Sequence, residues 1–173
     1  MNETINSIMG RRSVRRYKDT PLDESTIETL LKAGMAAPSA HNRQPWELVV
    51  ITDRGVLDRL AAEHPYARML LQAPACIIVC GNSERFCSGD EEGFWVQDCS
   101  AVTQNILVAA HSLGLGTVWC GVTPRPHLIE LVSRIVGLPE GIVPLNLIAV
   151  GYPAEKPPVK DKWRPDRVHW EGW

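Results

Sequence analysis

Residues 97–120 read QDCSAVTQNILVAAHSLGLGTVWC, and this stretch decides the fold class. Its first part, residues 97–113, is rich in Ala, Val, Leu and Ile on most sides, which predicts a central helix buried against a sheet or a partner chain. Gly114 and Gly116 end that helix and lead into a strand over residues 117–120. The order is the reverse of a dinucleotide-binding turn, in which a strand precedes the glycines and a helix follows them.

The segments on either side of this stretch favour an α+β fold. Two helices precede the first strand, and the second of them opens at Asp23 and ends before Pro38. A doubly wound sheet usually begins instead with a strand and its glycine-rich turn. We therefore expect helices packed around a central mixed β-sheet, in one domain over residues 1–173. The apolar patterns predict further strands over residues 46–52, 75–80 and 145–150. They predict further helices over residues 57–63, 67–72 and 126–136.

The overall composition excludes two classes of partner. An apolar content of 45% and a charged content of 22% are those of an ordinary globular protein. A net charge of -2 disfavours a nucleic-acid-binding protein, which neutralises many phosphates. No apolar run approaches the about 20 residues of a membrane span, and residues 2–10 are too polar for a signal peptide. We expect a cytoplasmic protein that binds neither nucleic acid nor membranes.

The five cysteines give no sign of a metal site or of disulfide bonds. Their number is odd, and their spacing lacks the close pairs that build zinc sites. In a chain without a secretory signal, we expect reduced thiols that are mostly buried as small hydrophobic groups. The sequence therefore predicts no metal. The cysteines are Cys76, Cys80, Cys87, Cys99 and Cys120.

The segment RRSVRRY at residues 11–17 is the strongest indication of a ligand. It holds four arginines, and the first carboxylate after it is Asp19. Like charges at this density repel one another unless an anion binds among them. An arginine fork holds two phosphate oxygens at once, and Ser13 adds a neutral hydrogen-bonding group. A phosphate site is the sharper interpretation, and a solubilising loop is the alternative.

Two other segments are rich in side chains that can bind a ligand. Residues 38–45, PSAHNRQP, form a loop rich in amide and hydroxyl groups, and residues 160–164, KDKWR, carry three cations near the end of the chain. Trp163, Trp170 and Trp173 crowd the last eleven residues, and an aromatic tail of this kind is expected to pack against protein.

The order and spacing of these segments resemble the nitroreductase family of flavin mononucleotide (FMN) oxidoreductases. The resemblance covers most of the chain, and it implies an interlocked homodimer with the flavin site across the interface. It also implies that residues 154–173 pack on the partner subunit. The matching segments are RRSVR at 11–15, LLKAGMAAPS at 30–39, NRQPW at 42–46, GLGTVWCG at 114–121 and VHWEGW at 168–173.

The resemblance assigns the arginine segment to the flavin. Arg11 would contact the phosphate, and Arg12 would support the same contact through its backbone and side chain. Ser13 would also lie on the cofactor. Arg15 would reach the pyrimidine end of the ring, where a cation favours the reduced state because reduction adds negative charge there.

The resemblance implies further contacts from both subunits. Pro38, Ser39 and Asn42 would come from the partner subunit and line the ribityl chain and the dimethylbenzene side of the ring. Lys162 and Arg164 match a Lys-x-Arg pattern that returns to the phosphate. These assignments would leave each flavin site incomplete in a single chain.

The implied reaction needs no catalytic side chain, because the cofactor carries the redox chemistry. Trp119, Cys120 and Gly121 would lie under the ring, with a backbone amide near Gly121 facing the nitrogen that takes the hydride. The resemblance implies hydride transfer from NADH or NADPH through FMN to nitroaromatics, quinones or similar acceptors. Two alternatives stay open: a dehalogenase or flavin-cleaving enzyme on the same scaffold, and a protein that only stores or senses FMN.

Overall fold

The computed structural model describes residues 2–173, in which an antiparallel sheet lies between two layers of helices. The helices are α1 (Glu3–Gly10), α2 (Glu24–Met35), α3 (Arg54–Glu63), α4 (Phe94–Ser112) and α5 (Pro126–Val136). The strands are β1 (Trp46–Ile51), β2 (Ala75–Asn82), β3 (Gly116–Gly121) and β4 (Ile142–Gly151). The expected α+β class is therefore confirmed.

The strands are arranged in the order β1-β2-β4-β3, and each neighbouring pair is antiparallel. The mixed sheet expected from the sequence is wrong in this respect. Ile51 at the end of β1 pairs with Cys76 at the start of β2, so the connection through α3 leaves and returns at the same end of the sheet. Strands joined in this way must run in opposite directions. A parallel pairing occurs only as an isolated bridge between Ser13 and Thr117 among the described residues.

Apolar side chains cover both faces of the sheet. On one face, α3 and α5 pack over a cluster that includes Leu60, Ile78 and Leu147. On the other face, α2 and α4 pack over a cluster that includes Ile77 and Ile106. The continuous apolar run of β2 is buried on both sides, as the sequence predicts. The central helix predicted over residues 97–113 is α4, which begins three residues earlier.

The contact between α2 and α4 shows how local sequence fixes this packing. The side chain of Asp23 accepts a hydrogen bond from the N–H of Thr26 at 2.6 Å, which caps α2 as expected. Gly34 then lies against α4, where an added Cβ would stand only 2.8 Å from Cγ1 of Ile106. The absence of a side chain at Gly34 therefore allows α2 and α4 to approach closely.

The C-terminal tail, residues 154–173, crosses the surface without joining the sheet, and its one helical turn is Pro165–Arg167. Trp163 and Trp170 are 64% and 86% exposed, and Trp173 is fully exposed. The tail tryptophans thus find little cover within their own chain. Within residues 2–173, none of the helices has the length and apolar character needed to cross a membrane.

Candidate functional site

Residues 11–17, the arginine strip, lie along the outer edge of β3. The N–H of Val14 donates to the carbonyl of Thr117 at 2.9 Å, beside the bridge that joins Ser13 to Thr117. Val14 and Tyr17 are each only 5% exposed, whereas Arg15 between them is exposed. The two apolar side chains therefore anchor the strip and turn Arg15 toward solvent.

Gly116 makes this close contact possible. A Cβ at Gly116 would lie 2.7 Å from Cγ1 and 2.8 Å from Cβ of Val14, which are impossible separations without movement. The sequence predicts only a helix-ending role for this glycine. That role belongs to Gly114, whose φ of 75° lies in the left-handed region that favours glycine. Gly116 instead admits the side chain that fixes the arginine strip.

The second anchor of the strip is Tyr17. Its hydroxyl donates to the carbonyl of Val14 at 2.7 Å and approaches the carbonyl of Ala149 at 3.3 Å. Burial raises the pKa of Tyr17 far above its usual value, so the hydroxyl stays protonated as a donor. The N–H of Lys18 donates to the carbonyl of Tyr152 at 2.8 Å, which ties the end of the strip to the chain after β4.

Between the arginine strip and the tail lies a first cavity of about 920 Å³. Its wall is strongly basic, with Asp161 as its acidic side chain. Nε of Arg11 is buried and has no hydrogen-bond partner among the described residues. A buried donor without a partner is costly, and an anion bound at the guanidinium of Arg11 would offset that cost. The cationic residues that line the first cavity are Arg11, Arg12, Arg15, Lys160 and Lys162, and Ser13 lies among them.

A second cavity of about 560 Å³ adjoins the first at Arg15, which lines both. Trp119, Cys120 and Gly121 of β3 form one side of it. Tyr66 lies on the other side, and the guanidinium of Arg125 stands 5.3 Å from the centre of its ring. The other lining residues are Pro65, Arg68, Met69 and Val118.

Cys120 is a neutral group at the floor of the second cavity. Its thiol donates to the carbonyl of Tyr66 at 3.2 Å. Burial raises the pKa of Cys120 to about 11, although the charge of Arg15 acts in the opposite direction. A thiol with this pKa is a poor nucleophile at neutral pH. All five cysteines are buried and unpaired, as the sequence predicts.

His64 supports the same wall from behind. It is 1% exposed, and its Nδ1 accepts a hydrogen bond from the N–H of Tyr66 at 3.2 Å. Burial lowers the pKa of His64 below its usual value, so the neutral imidazole is favoured. This contact fixes the backbone that presents Tyr66 to the cavity.

Four of the predicted site residues do not line either cavity within the described chain. Pro38, Ser39 and Asn42 lie in a loop that is attached to the start of α4, where Asp98 accepts a hydrogen bond from the N–H of Ala40 at 3.0 Å. Arg164 also lies outside the cavities, although its neighbour Lys162 lines the first one. Of the predicted site residues, the described part of one chain therefore brings together Arg11, Arg12, Ser13 and Arg15 of the strip, the three β3 residues and Lys162.

The structure adds three site residues that the sequence did not indicate. Tyr66 and Arg68 lie on a short turn about fifty positions from both the arginine strip and β3, and no local pattern marks them. Arg125 stands between Pro124 and Pro126, four positions after the glycine-rich segment that ends at residue 121. That placement at a turn beside β3 could have identified Arg125.

This combination of fold and site agrees with a comparison of the sequence with protein families. Residues 8–64 and 57–152 match the Nitroreductase family, which is most of the chain. The chain belongs to the nitroreductase family. A relative from Methanothermobacter thermautotrophicus, provisionally named NADH dehydrogenase/NAD(P)H nitroreductase, is 44% identical over 174 residues. That match covers 99% of this chain and 88% of the relative.

Solved structures of family members share the architecture. A protein from Parabacteroides distasonis with the same provisional name superposes with a TM-score of 0.94 at 45% identity, covering 100% of both chains. A provisionally named nitroreductase from Desulfovibrio desulfuricans, solved in complex with FMN, has a TM-score of 0.85 at 30% identity. That match covers 100% of this nitroreductase family member and 99% of the relative.

Proposed function

We propose that this protein is an FMN-dependent oxidoreductase that takes a hydride from NADH or NADPH and passes it to a nitroaromatic, a quinone or a similar acceptor. The observation that carries the proposal is the pair of adjoining cavities, one basic and one floored by β3, which meet at Arg15. The names of the relatives from Methanothermobacter and Desulfovibrio support the reaction and the cofactor.

The residues of the first cavity fit the phosphate end of FMN. Arg11 lines this cavity and has a buried Nε without a hydrogen-bond partner among the described residues, and Ser13 lines the same cavity. A planar guanidinium suits the oxygens of a phosphate, whereas Lys162 contributes a compact charge from the opposite wall. Arg12 is partly committed elsewhere, because its Nη1 donates to the carbonyl of Gly10 at 2.9 Å. We therefore assign the main phosphate contact to Arg11.

The second cavity fits a flat ring. When bound, FMN supplies the chemistry of accepting and releasing a hydride. Arg15 places a positive charge where the two cavities meet, and this charge stabilises an electron-rich ring. The β3 residues Trp119, Cys120 and Gly121 provide the floor, and Tyr66 and Arg125 also line the cavity.

The side chains around the second cavity hold and orient rather than react. Cys120 is kept protonated by burial, and its thiol is engaged with the carbonyl of Tyr66. His64 is kept neutral behind the wall. The side chains that line this cavity are unreactive, and Arg15 supplies a positive charge. This favours an enzyme in which the cofactor carries the chemistry over an enzyme that uses a covalent nucleophile.

We propose that two chains form a homodimer in which the loop at Pro38, Ser39 and Asn42 completes the partner's flavin site. The position of this loop outside both cavities of its own chain supports the proposal. The exposed tryptophans of residues 154–173 supply apolar surface for packing on the partner. We also propose that the chain acts as one domain in the cytoplasm, which fits its five unpaired, buried cysteines.

An absorption spectrum of the purified protein, followed by anaerobic titration with NADH and then with NADPH, tests the function. We expect a yellow protein with one FMN per chain, whose flavin absorbance bleaches with at least one nicotinamide and recovers when a quinone or nitroaromatic is added. A flavin that neither nicotinamide bleaches would favour storage of FMN. A colourless protein that takes up no added FMN would exclude the proposal.

A further inference from the structure

A second cluster of chemically active side chains lies apart from the two cavities. His41, Cys87 and Glu91 come from two loops, and one ligand atom from each lies within 4.8 Å of the other two. The imidazole and the carboxylate are exposed, whereas the thiol is 8% exposed. The sequence predicts no metal site here, because the cysteines lack the close pairs that build zinc sites.

The dimensions of this cluster suit a zinc ion. Nε2 of His41 and Oε2 of Glu91 are 3.2 Å apart. Nitrogen and oxygen ligands at the usual bond lengths to tetrahedral zinc are separated by about 3.3 Å, and a thiolate sulfur stands about 3.6 Å from each of them. Side-chain adjustments of about 1 Å therefore bring all three atoms to the bonding positions.

The loop that carries His41 is firmly held. Asp98, which is buried, accepts a hydrogen bond from the N–H of Ala40 at 3.0 Å. The hydroxyl of Ser39 accepts another from the N–H of Gln44 at 3.0 Å. His41 itself has a φ of 50°, a left-handed conformation that is uncommon for a residue with a Cβ. These contacts hold the backbone that carries His41 in place before any ion binds.

The loop that carries Cys87 is anchored just as firmly. Phe86 stacks on Trp95 with ring centres 4.9 Å apart and planes 5° from parallel. Both rings cover Gly81, where an added Cβ would lie 2.5 Å from the ring of Trp95. The N–H of Ser83 donates to the carbonyl of Gly141 at 2.8 Å. The thiol is thus presented from a fixed backbone.

We propose that His41, Cys87 and Glu91 bind one Zn²⁺ per chain, with the fourth position open to water. One imidazole, one thiolate and one carboxylate form a donor set that suits zinc, whereas calcium and magnesium prefer oxygen ligands alone. Cys87 gives up its proton to bulk water when the metal binds, so affinity rises with pH. No redox step is involved.

Zinc at this site joins the loop at residues 38–45 to the segment at residues 83–93. His41 lies between Ser39 and Asn42, so the ion restrains the loop that the proposed function assigns to the partner's flavin. This consequence rests on the proposed function, whereas zinc binding itself does not. Metal content and flavin content are therefore measured separately on the same samples.

The test is equilibrium dialysis of the purified protein against Zn²⁺. The zinc content per chain is then measured by elemental mass spectrometry, and the affinity for zinc is measured by calorimetry. Loss of a group that only supports a ligand already costs roughly 10- to 100-fold in metal affinity. We expect Glu91→Gln, His41→Asn and Cys87→Ser each to weaken binding by at least that factor. The matched controls Glu92→Gln and His169→Asn keep the wild-type affinity, because neither residue belongs to the cluster.

Glu91→Gln keeps the test decisive if Cys87→Ser disturbs folding, because Glu91 is exposed. One zinc per chain that disappears in the three ligand variants and persists in both controls supports the site. Wild-type protein that retains no zinc would overturn the proposal, as would ligand variants that bind zinc as tightly as the controls. A protein that binds FMN but no zinc refutes the zinc site alone, and the reverse result refutes only the proposed function.

Discussion

The N–H of Val14 donates to the carbonyl of Thr117 at 2.9 Å, and this bond aligns the arginine strip with the outer edge of β3. The strip contributes Arg11 and Arg15 to the two cavities, while β3 contributes Trp119 and its neighbours. The two halves of the site are therefore held in register by main-chain contacts, and a change at their junction should affect both.

Gly116→Ala tests that junction. The new methyl group would meet Val14 at 2.7 Å, and the strip must move away from β3 to admit it. We expect a loss of about 1–3 kcal/mol in the free energy of unfolding, as for overpacked cores, together with weaker FMN binding. Urea unfolding and flavin titration measure the two effects. The control Gly93→Ala has no atom within 4 Å of the added Cβ, and should change neither.

Arg11→Ala should weaken FMN binding more than Lys162→Ala does. Arg11 can hold two phosphate oxygens in a fixed fork, whereas Lys162 is a point charge on a flexible stem. Charge-assisted hydrogen bonds are worth roughly 1.5–3 kcal/mol, so we expect a loss of about 10- to 100-fold in affinity for Arg11→Ala. Fluorescence titration of the flavin-free protein with FMN gives the dissociation constants.

Arg16→Ala is the matched control for the phosphate assignment. Arg16 belongs to the same strip, but it faces Glu155 at 3.9 Å and lines neither cavity. Its removal should leave FMN affinity within about twofold of the wild type, because an exposed ion pair contributes little. Equal losses for Arg11→Ala and Arg16→Ala would mean that only the total charge of the strip matters.

His64 should make the fold less stable in acid. Burial lowers its pKa in the folded state, whereas the unfolded chain titrates near the ordinary value of about 6.5. Below that pH, His64 binds a proton in the unfolded state but not in the folded state. The free energy of unfolding therefore falls as the pH drops from about 6.5 toward the folded pKa. The partly buried His111 contributes in the same direction, through burial and the nearby charges of Arg12 and Arg11.

His64→Asn isolates this contribution. An Asn side chain can still accept the hydrogen bond from the N–H of Tyr66 but does not titrate. We expect a shallower loss of melting temperature between pH 7 and 5 than in the wild type. A slope that is unaffected by His64→Asn would show that other groups control the acid response.

Local sequence signals account for much of the fold. The predicted helix over residues 126–136 coincides with α5, because Pro126 occupies its first turn and Gly137 ends it at a φ of 70°. Such local signals do not determine whether neighbouring strands run parallel or antiparallel. The connection from β1 to β2 contains a helix, as parallel crossovers do, and only the end at which the chain re-enters the sheet makes the pair antiparallel.

The site was predictable where its residues are contiguous in sequence. The arginine strip and the β3 segment each form one motif, so their chemistry is visible before folding. Tyr66 and Arg125 meet only because a turn before β2 packs against the turn after β3. His41 and Cys87 likewise come together across 46 positions, and neither has a neighbour in sequence that marks it as a ligand.

Assembly and cofactor retention should be linked through the tail. Trp163, Trp170 and Trp173 are largely exposed in one chain, and the loop at Ser39 and Asn42 lies outside that chain's cavities. If a partner covers both, then dimerisation and FMN binding strengthen each other. Deleting residues 163–173 should weaken both together. Size-exclusion chromatography with absorbance read at flavin wavelengths measures both at once.

A shorter deletion separates the two contributions of the tail. Removing residues 170–173 takes away two exposed tryptophans but keeps Lys162 in the wall of the first cavity, together with Trp163 and Arg164. If apolar packing on the partner drives assembly, this variant should dissociate at higher protein concentration than the wild type and lose flavin as it does so. A monomer that keeps its full flavin complement after either deletion would refute a site shared between two chains.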